Sequence, residues 1–208
     1  MTRPLLAHVA VLALAAVGLA TPVHSQNQGH HICEKSYEAK YDELHWEEPL
    51  ETGNPIPNGY KGLDYNIFQV DQYDGFMIPA SGSQYAMAFG GSGNISVHDT
   101  GKRSFFSLES FSYACSGGVP QPECAISMWG FRGGDLVAHQ VINFPALDPG
   151  HFLHEFVMNS TTLDRRWSHL SSVGFSIARA DNGETMYAGL MIDDFQYTVG
   201  GACSGCGL

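Results

Sequence analysis

The sequence predicts an all-β protein, a sandwich or barrel in one domain, and three observations carry that prediction. Short strand-like segments recur along the chain, separated by turn sequences such as Asp74-Gly75 and Asp181-Asn182-Gly183. No segment keeps the 3.6-residue period of an amphipathic helix, and only 160–170 has room for one short helical turn. Glycine is frequent, at 24 residues, whereas charged residues make up only 15% of the chain, which is typical of short strands and tight turns.

The predicted strands define which side chains face the core. In chain order they cover the region of Trp46 and then 65–70, 84–89, 94–98, 104–113, 125–131, 136–144, 151–158, 172–178 and 185–199. Side chains alternate along a strand, so Ile126 and Met128 share one face while Trp129 takes the other. We therefore expect Trp129 to be an exposed aromatic residue.

The chain divides into four parts. Residues 1–25 combine Arg3, an apolar run and the small-residue exit Val23-His24-Ser25, which is typical of a secretory signal peptide cut after Ser25. Residues 26–43 are polar without a period and are expected to form a mobile N-terminal arm. Residues 44–199 hold the sandwich, and 200–208 form a Gly/Cys-rich tail. We expect a secreted, extracellular protein.

The formal net charge is −11. Nucleic acids and anionic membranes need a basic surface, so this charge argues against both as partners. A calcium ion or a neutral glycan is compatible with it. No stretch after the leader is long and apolar enough to span a bilayer. Oligomeric state is not readable from these patterns.

Five cysteines in a secreted chain predict disulfides with one thiol left over. Cys115 and Cys124 bracket a turn-rich loop between two strand patterns, which favours a local bridge. Cys33 would then pair with Cys203 or Cys206 and tie the N-terminal arm to the tail. The sequence leaves open which of the two remains free.

Two N-glycosylation sequons are present, beginning at Asn94 and at Asn159. They read Asn94-Ile95-Ser96 and Asn159-Ser160-Thr161, and both lie near predicted turns. In a secreted protein we expect both to be candidate glycan attachment sites.

An acidic doublet lies near each end of the predicted sandwich. Glu47 and Glu48 fall in the first strand pattern, and Asp193 and Asp194 fall in the last. If these strands are neighbours in one sheet, four carboxylates meet and require a cation. Calcium takes carboxylate and carbonyl oxygens, so we expect a structural Ca²⁺ held by one carboxylate from each doublet, with carbonyls from 59–62 completing its shell. The alternative is that both doublets are solvated charges on strand edges.

Four aromatic residues are candidates for stacking on the apolar face of a sugar. They are Trp129, Trp167, Tyr113 and Tyr85. The other interpretation of each ring is a place in the core. Sequence alone does not separate the two.

Four short motifs carry a family resemblance. They are Trp46-Glu47-Glu48-Pro49, the stretch from Ile56 to Tyr65 with Phe68, Gly130-Phe131-Arg132-Gly133-Gly134, and Ile192-Asp193-Asp194-Phe195. Together they resemble a jelly-roll domain of secreted fungal proteins and bacterial PEP-CTERM-type extracellular proteins. The resemblance implies a galactose-binding-like antiparallel β-sandwich, often with a structural calcium between the first and last strands. It brings no catalytic residue.

The function expected from these observations is non-catalytic. We expect a carbohydrate-binding module or a cell-wall or extracellular-matrix interaction module. An extracellular polysaccharide-active enzyme, whether hydrolytic, lytic or oxidative, is the first alternative, and a structural or effector protein without a small ligand is the second. The chain has no Gly-x-Ser-x-Gly elbow and no His-Glu-x-x-His zinc motif.

Overall fold

The computed structural model describes residues 32–47, 54–73, 77–98, 104–116, 121–147, 156–186 and 188–202. These residues form one β-sandwich, as the sequence predicts. Its strands are β1 (Ile32–Ala39), β2 (Leu63–Asn66), β3 (Phe68–Gln72), β4 (Met77–Ile78), β5 (Gln84–Ala88), β6 (Ser92–Val97), β7 (Phe105–Ser116), β8 (Cys124–Arg132), β9 (Asp135–Phe144), β10 (Phe156–Val157), β11 (Asn159–Thr162), β12 (Ser172–Arg179) and β13 (Gly189–Ala202).

Two antiparallel sheets make up the sandwich. The six-stranded sheet has the order β11-β7-β13-β5-β3, with β1 added on β13. The five-stranded sheet has the order β2-β6-β12-β8-β9. A small parallel pair, β4 with β10, lies apart from them. Strands adjacent in a sheet are often distant in the sequence, as expected for a sandwich with crossing connections.

Aromatic rings from both sheets meet in the core. Phe111 of β7 and Phe175 of β12 contact edge to face with centroids 6.0 Å apart, and Phe68 contacts Phe175 at 6.1 Å. Such edge-to-face pairs are favourable beyond the area they bury. Along β8, Ile126 and Met128 are fully buried, so the predicted alternation is confirmed.

The prediction of a mobile N-terminal arm over 26–43 is wrong for residues 32–39. Residues Ile32–Ala39 form β1, which pairs antiparallel with β13 from Ile32 opposite Ala202 to Ala39 opposite Phe195. Most β1 side chains are exposed, because β1 lies at the edge of the sheet. An exposed edge strand has no apolar alternation, so the sequence pattern does not reveal it.

The predicted strand around Trp46 is also wrong. Residues 40–47 form turns and irregular backbone, and Trp46 is only half-buried against the core. The helical turn expected within 160–170 is present as a single 3₁₀ turn, Arg165–Trp167. Its first N–H groups are capped by the Asp164 side chain, which accepts a hydrogen bond from the Arg166 backbone.

The Cys115–Cys124 disulfide is confirmed and joins the end of β7 to the start of β8. Cys33 is also disulfide-bonded. Cys203 and Cys206 lie outside the described residues, as does the predicted signal peptide. Within the described ranges, no helix has the length and apolar character that a membrane span needs.

Candidate functional site

The outward-facing side chains of the five-stranded sheet form one continuous surface, here called the outer face. The strand register aligns Asn66, Asn94, Gly174, Trp129 and His139 in a single row across β2, β6, β12, β8 and β9. Directly opposite residues in antiparallel strands have Cβ atoms about 5 Å apart, so neighbours in this row are in contact range. The row brings together residues that are far apart in the sequence.

Trp129, Phe131 and Gly174 form an aromatic platform near the middle of this face. A Cβ atom placed on Gly174 would lie 3.9 Å from Trp129 Cε3 and 3.9 Å from Phe131 Cε2, so the edges of both rings approach the glycine. Both rings are half-buried. His139 stacks on Trp129 with ring centroids 5.8 Å apart and planes 17° apart, so the two rings lie nearly parallel. The prediction that Trp129 faces outward is confirmed.

Polar side chains surround the platform. One neighbouring row aligns Asp64, Ser96 and Ser172 with Phe131. The row on the other side aligns Ser92, Ser176 and Ser127 with Val141. Hydroxyl, amide and carboxylate groups around an aromatic surface match the alternating polar and apolar faces of a sugar.

The Asp64 carboxylate is fixed beside this surface. Its Oδ1 accepts a hydrogen bond from the Gly59 backbone N–H at 2.8 Å and lies 2.7 Å from His98 Nδ1. Both partners come from outside β2, so the position of the carboxylate is set by loop contacts as well as by the strand. Its orientation does not depend on a ligand.

The other three aromatic predictions are wrong. Trp167 is fully buried, Tyr85 is 1% exposed and Tyr113 is 7% exposed. The Tyr113 hydroxyl donates to the Asn143 carbonyl at 3.2 Å, which joins the two sheets. Rings with so little exposed area cannot stack on a sugar. These three residues belong to the core.

Trp167 lies beside a cavity of about 250 Å³ between β7, β11 and the 3₁₀ turn. Leu108 and Leu163 also line this cavity. The Trp167 indole Nε1 has no hydrogen-bond partner among the described residues. Asp164, at the same cavity, is paired with Arg166 at 2.7 Å, and this hydrogen-bonded pairing lowers the pKa of Asp164. Asp164 is therefore paired within the turn itself.

Asp193 is fully buried beneath the loop that precedes β5. Its Oδ2 accepts a hydrogen bond from the Ser81 backbone N–H at 2.7 Å, and its Oδ1 accepts one from the Asp194 N–H at 2.7 Å. Burial nevertheless raises the pKa of Asp193 to about 7, because the loss of hydration outweighs these hydrogen bonds.

Asp194 occupies an irregular point in β13. Its φ is 46°, in the left-handed region that a non-glycine residue seldom adopts, and the β13–β7 register shifts between Asp193 and Gln196. Its Oδ1 is buried without a hydrogen-bond partner among the described residues. A buried carboxylate oxygen without a donor is a suitable ligand for a cation.

The structure does not bring Glu47 close to the acidic doublet of Asp193 and Asp194. Glu47 is exposed, with its carboxylate 2.8 Å from His45 Nε2 and its backbone N–H donating to Asn54 at 3.2 Å. Asn54, the partner of Glu47, accepts a hydrogen bond from the Val70 backbone N–H of β3, and β5 lies between β3 and β13 in the sheet. Glu48 lies outside the described residues. Across the described ranges, no three His, Cys, Asp or Glu side chains form a group able to hold a metal ion.

The carbonyls expected to complete a calcium shell have other partners. Gly59 O, Tyr60 O and Gly62 O accept backbone hydrogen bonds, and Lys61 O accepts the Tyr197 hydroxyl at 3.1 Å. These hydrogen bonds therefore stabilise the turn over 59–62 that leads into β2. Any further oxygen ligands beside Asp193 and Asp194 have to come from elsewhere in the chain or from water.

The two sequons occupy different surfaces. Asn94 lies in β6 within the row that includes the aromatic platform, whereas Asn159 is the first residue of β11, at the edge of the six-stranded sheet.

The alternation of β8 identifies Phe131 as a neighbour of Trp129 on the same face. Gly174 carries no such signal, because only the pairing of β12 with β8 places it against the two rings.

No protein-family model and no curated protein matches the chain. Among solved structures, the chain is similar to a DUF4465 family protein from Bacteroides caccae, with 12% identity, a TM-score of 0.53, and coverage of 78% of this chain and 98% of that one. At that identity the likeness shows the fold alone, a β-sandwich.

Two other solved structures are similar to the chain at lower TM-scores. The enzymatically active domain of tailspike protein 4 from bacteriophage CBA120 is 14% identical, with a TM-score of 0.34, and the match covers 72% of this chain and 21% of that one. TmCBM61, solved in complex with β-1,4-galactotriose, is 11% identical, with a TM-score of 0.33, and the match covers 71% of this chain and 91% of that one.

Proposed function

We propose that the protein is a secreted, non-catalytic carbohydrate-binding module whose binding surface is the outer face centred on Trp129. The observation that carries this proposal is the aromatic platform, in which Trp129 and Phe131 flank a strand position without a side chain. Such a surface accepts the apolar face of a sugar ring, while neighbouring amides and hydroxyls bind its edges.

The charge of the chain narrows the ligand class. With a net charge of −11, the protein repels acidic polysaccharides, so the proposed ligand is a neutral glycan. The platform lies on a sheet surface in a row that crosses five strands, which favours an extended chain of sugars. The Cys115–Cys124 disulfide supports an oxidising, extracellular compartment.

The test of this proposal is a pair of aromatic substitutions on the mature protein. A glycan array identifies the ligand, and Trp129→Ala is expected to weaken its affinity by about 30-fold or more, since loss of a central Trp anchor costs about 2 kcal/mol. Phe89→Ala is the control, because Phe89 is 53% exposed in the turn after β5 and belongs to none of the aligned rows of the outer face. Equal affinities for both variants would contradict the proposed surface.

We also propose that Asp193 and Asp194 contribute to a structural calcium site. Two features support this: the unpartnered, buried Oδ1 of Asp194 and the burial of Asp193 beside it. Calcium coordinates six to eight oxygens, so carbonyls, hydroxyls or water supply the remainder. When bound, the ion would neutralise the doublet and hold β13 at its irregular point. Glu47 is not part of this proposal.

Chelation tests the calcium site. EDTA is expected to lower the melting temperature by about 5–10 °C and added Ca²⁺ to restore it, which corresponds to about 2.7 kcal/mol for an ion present at 100 times its Kd. The Asp194→Asn variant is expected to respond to neither. Asp181→Asn, which removes an exposed partner of Arg179, is expected to respond as the natural protein does. An unchanged melting temperature in EDTA would exclude a structural ion.

A further inference from the structure

The sequon at Asn94 lies on the same surface as the aromatic platform. Sequence alone places Asn94 at the first position of the predicted strand 94–98. The structure begins this strand, β6, two residues earlier at Ser92, so Asn94 lies inside it and pairs with Asn66 on one side and Gly174 on the other. Asn94 and Ser96 alternate with the buried Gly93, Ile95 and Val97, so both face outward. A glycan attached to Asn94 therefore emerges from the outer face.

The path from Asn94 to the platform is short and open. Asn94 is opposite Gly174, and Gly174 is opposite Trp129, so two strand spacings separate Asn94 from Trp129, about 10 Å. The only residue between them in the row is Gly174, which has no side chain to block the way. The edges of Trp129 and Phe131 border that same glycine.

From this arrangement we infer that an N-linked glycan on Asn94 lies across Gly174 and occupies the aromatic platform with its first two N-acetylglucosamine residues. These sugars have apolar faces for the rings of Trp129 and Phe131. Their hydroxyl and acetamido groups meet the outward-facing Ser172 and Ser176 of β12. Attachment holds the sugar at a high effective concentration, so the intramolecular contact needs little intrinsic affinity.

This inference deepens the proposed function and rests on it. A protein glycosylated at Asn94 carries its own ligand, and an external glycan has to displace it. Glycosylation at this one residue therefore regulates the binding surface. The second sequon provides an internal comparison, because Asn159 lies on β11 at the edge of the other sheet.

The experiment compares full-length protein secreted from a eukaryotic host in four forms. They are the natural sequence, Asn94→Gln, Ser96→Ala and Asn159→Gln. The first two variants remove the same sequon through different residues, which separates loss of the glycan from any effect of the Asn94 side chain. Mass spectrometry of glycopeptides gives occupancy at each site. The probe is free N,N′-diacetylchitobiose, and its binding is measured by quenching of tryptophan fluorescence. The Trp129→Phe variant identifies the part of the quenching that comes from Trp129.

Asn94→Gln and Ser96→Ala are expected to bind the disaccharide at least about tenfold more tightly than the natural protein, because the tethered competitor is absent. Asn159→Gln is expected to match the natural protein. Equal affinity in all four forms, or an unoccupied Asn94, would overturn the inference.

The array separates this result from the proposed function. If external glycans bind equally with and without the Asn94 glycan, the proposed function stands and the inference fails. If no array glycan other than chitobiose binds any form, yet free N,N′-diacetylchitobiose quenches Trp129 only without the Asn94 glycan, the platform still binds a sugar, the inference stands, and a separate external ligand fails.

Discussion

Replacing Trp167 by alanine is expected to lower the free energy of unfolding by about 3–5 kcal/mol, as found for fully buried large aromatic residues. Trp167 has no exposed surface, and its ring packs against the strand position of Gly130. Removing the ring enlarges the cavity that already lies beside it between β7, β11 and the 3₁₀ turn, and lost packing around such a cavity adds to the cost. The change acts on stability and not on a ligand contact.

Urea denaturation at one pH measures this effect, and Trp129→Ala is the matched control. Trp129 is half-buried on the outer face, so its loss is expected to cost about 1 kcal/mol or less, no more than the average over all point substitutions. The two tryptophans thus separate stability from binding: Trp167→Ala affects unfolding, and Trp129→Ala affects glycan affinity. Similar losses of stability in both variants would contradict this assignment.

The second large effect is a fall in stability with rising pH, caused by Asp193. Burial raises its pKa from 3.8 to about 7 in the folded protein. Between about pH 4 and pH 7 the folded state holds a proton that the unfolded chain has released, so the free energy of unfolding decreases as pH rises through this window. The contribution is at most about 4 kcal/mol, from about 3 pKa units, and is constant above pH 7.

Asp193→Asn isolates this contribution, because asparagine keeps the shape of the carboxyl group and stays neutral. Urea denaturation of both proteins between pH 4 and pH 8 is expected to show a decline for the natural protein that is absent or much smaller in the variant. EDTA is present throughout, since a bound cation favours the carboxylate and lowers its pKa. Parallel pH profiles for the two proteins would show that Asp193 is already ionised in the folded state.

Most of the sandwich was predictable because its strands alternate buried and exposed residues. In β8 and β12 that alternation identifies Ile126, Met128 and Phe175 as core residues and Trp129 as an outward-facing one. The turn sequences between strands predict where each strand ends. The local disulfide followed from two cysteines that bracket a turn-rich loop.

The candidate site was only partly predictable. Trp129 is identified by the strand that carries it, but Trp167 lies in a 3₁₀ turn without alternation, so its burial depends on strands distant in sequence. The edge strand β1 is exposed along most of its length and leaves no apolar pattern. Glu47 lies on irregular backbone and not on a strand beside β13, so the expected meeting of the two doublets had no local basis.

Alternation and turn residues are sufficient to predict the all-β class, the faces of the regular strands and the outward direction of Trp129. Strand pairing and packing, which no local pattern contains, place Gly174 and Asn94 in a row with Trp129, bury Trp167 and add β1 to the sheet. The reason is the range of each interaction. Alternation is set by bonds within one strand, whereas strand order and burial depend on hydrogen bonds and packing between segments far apart in the chain.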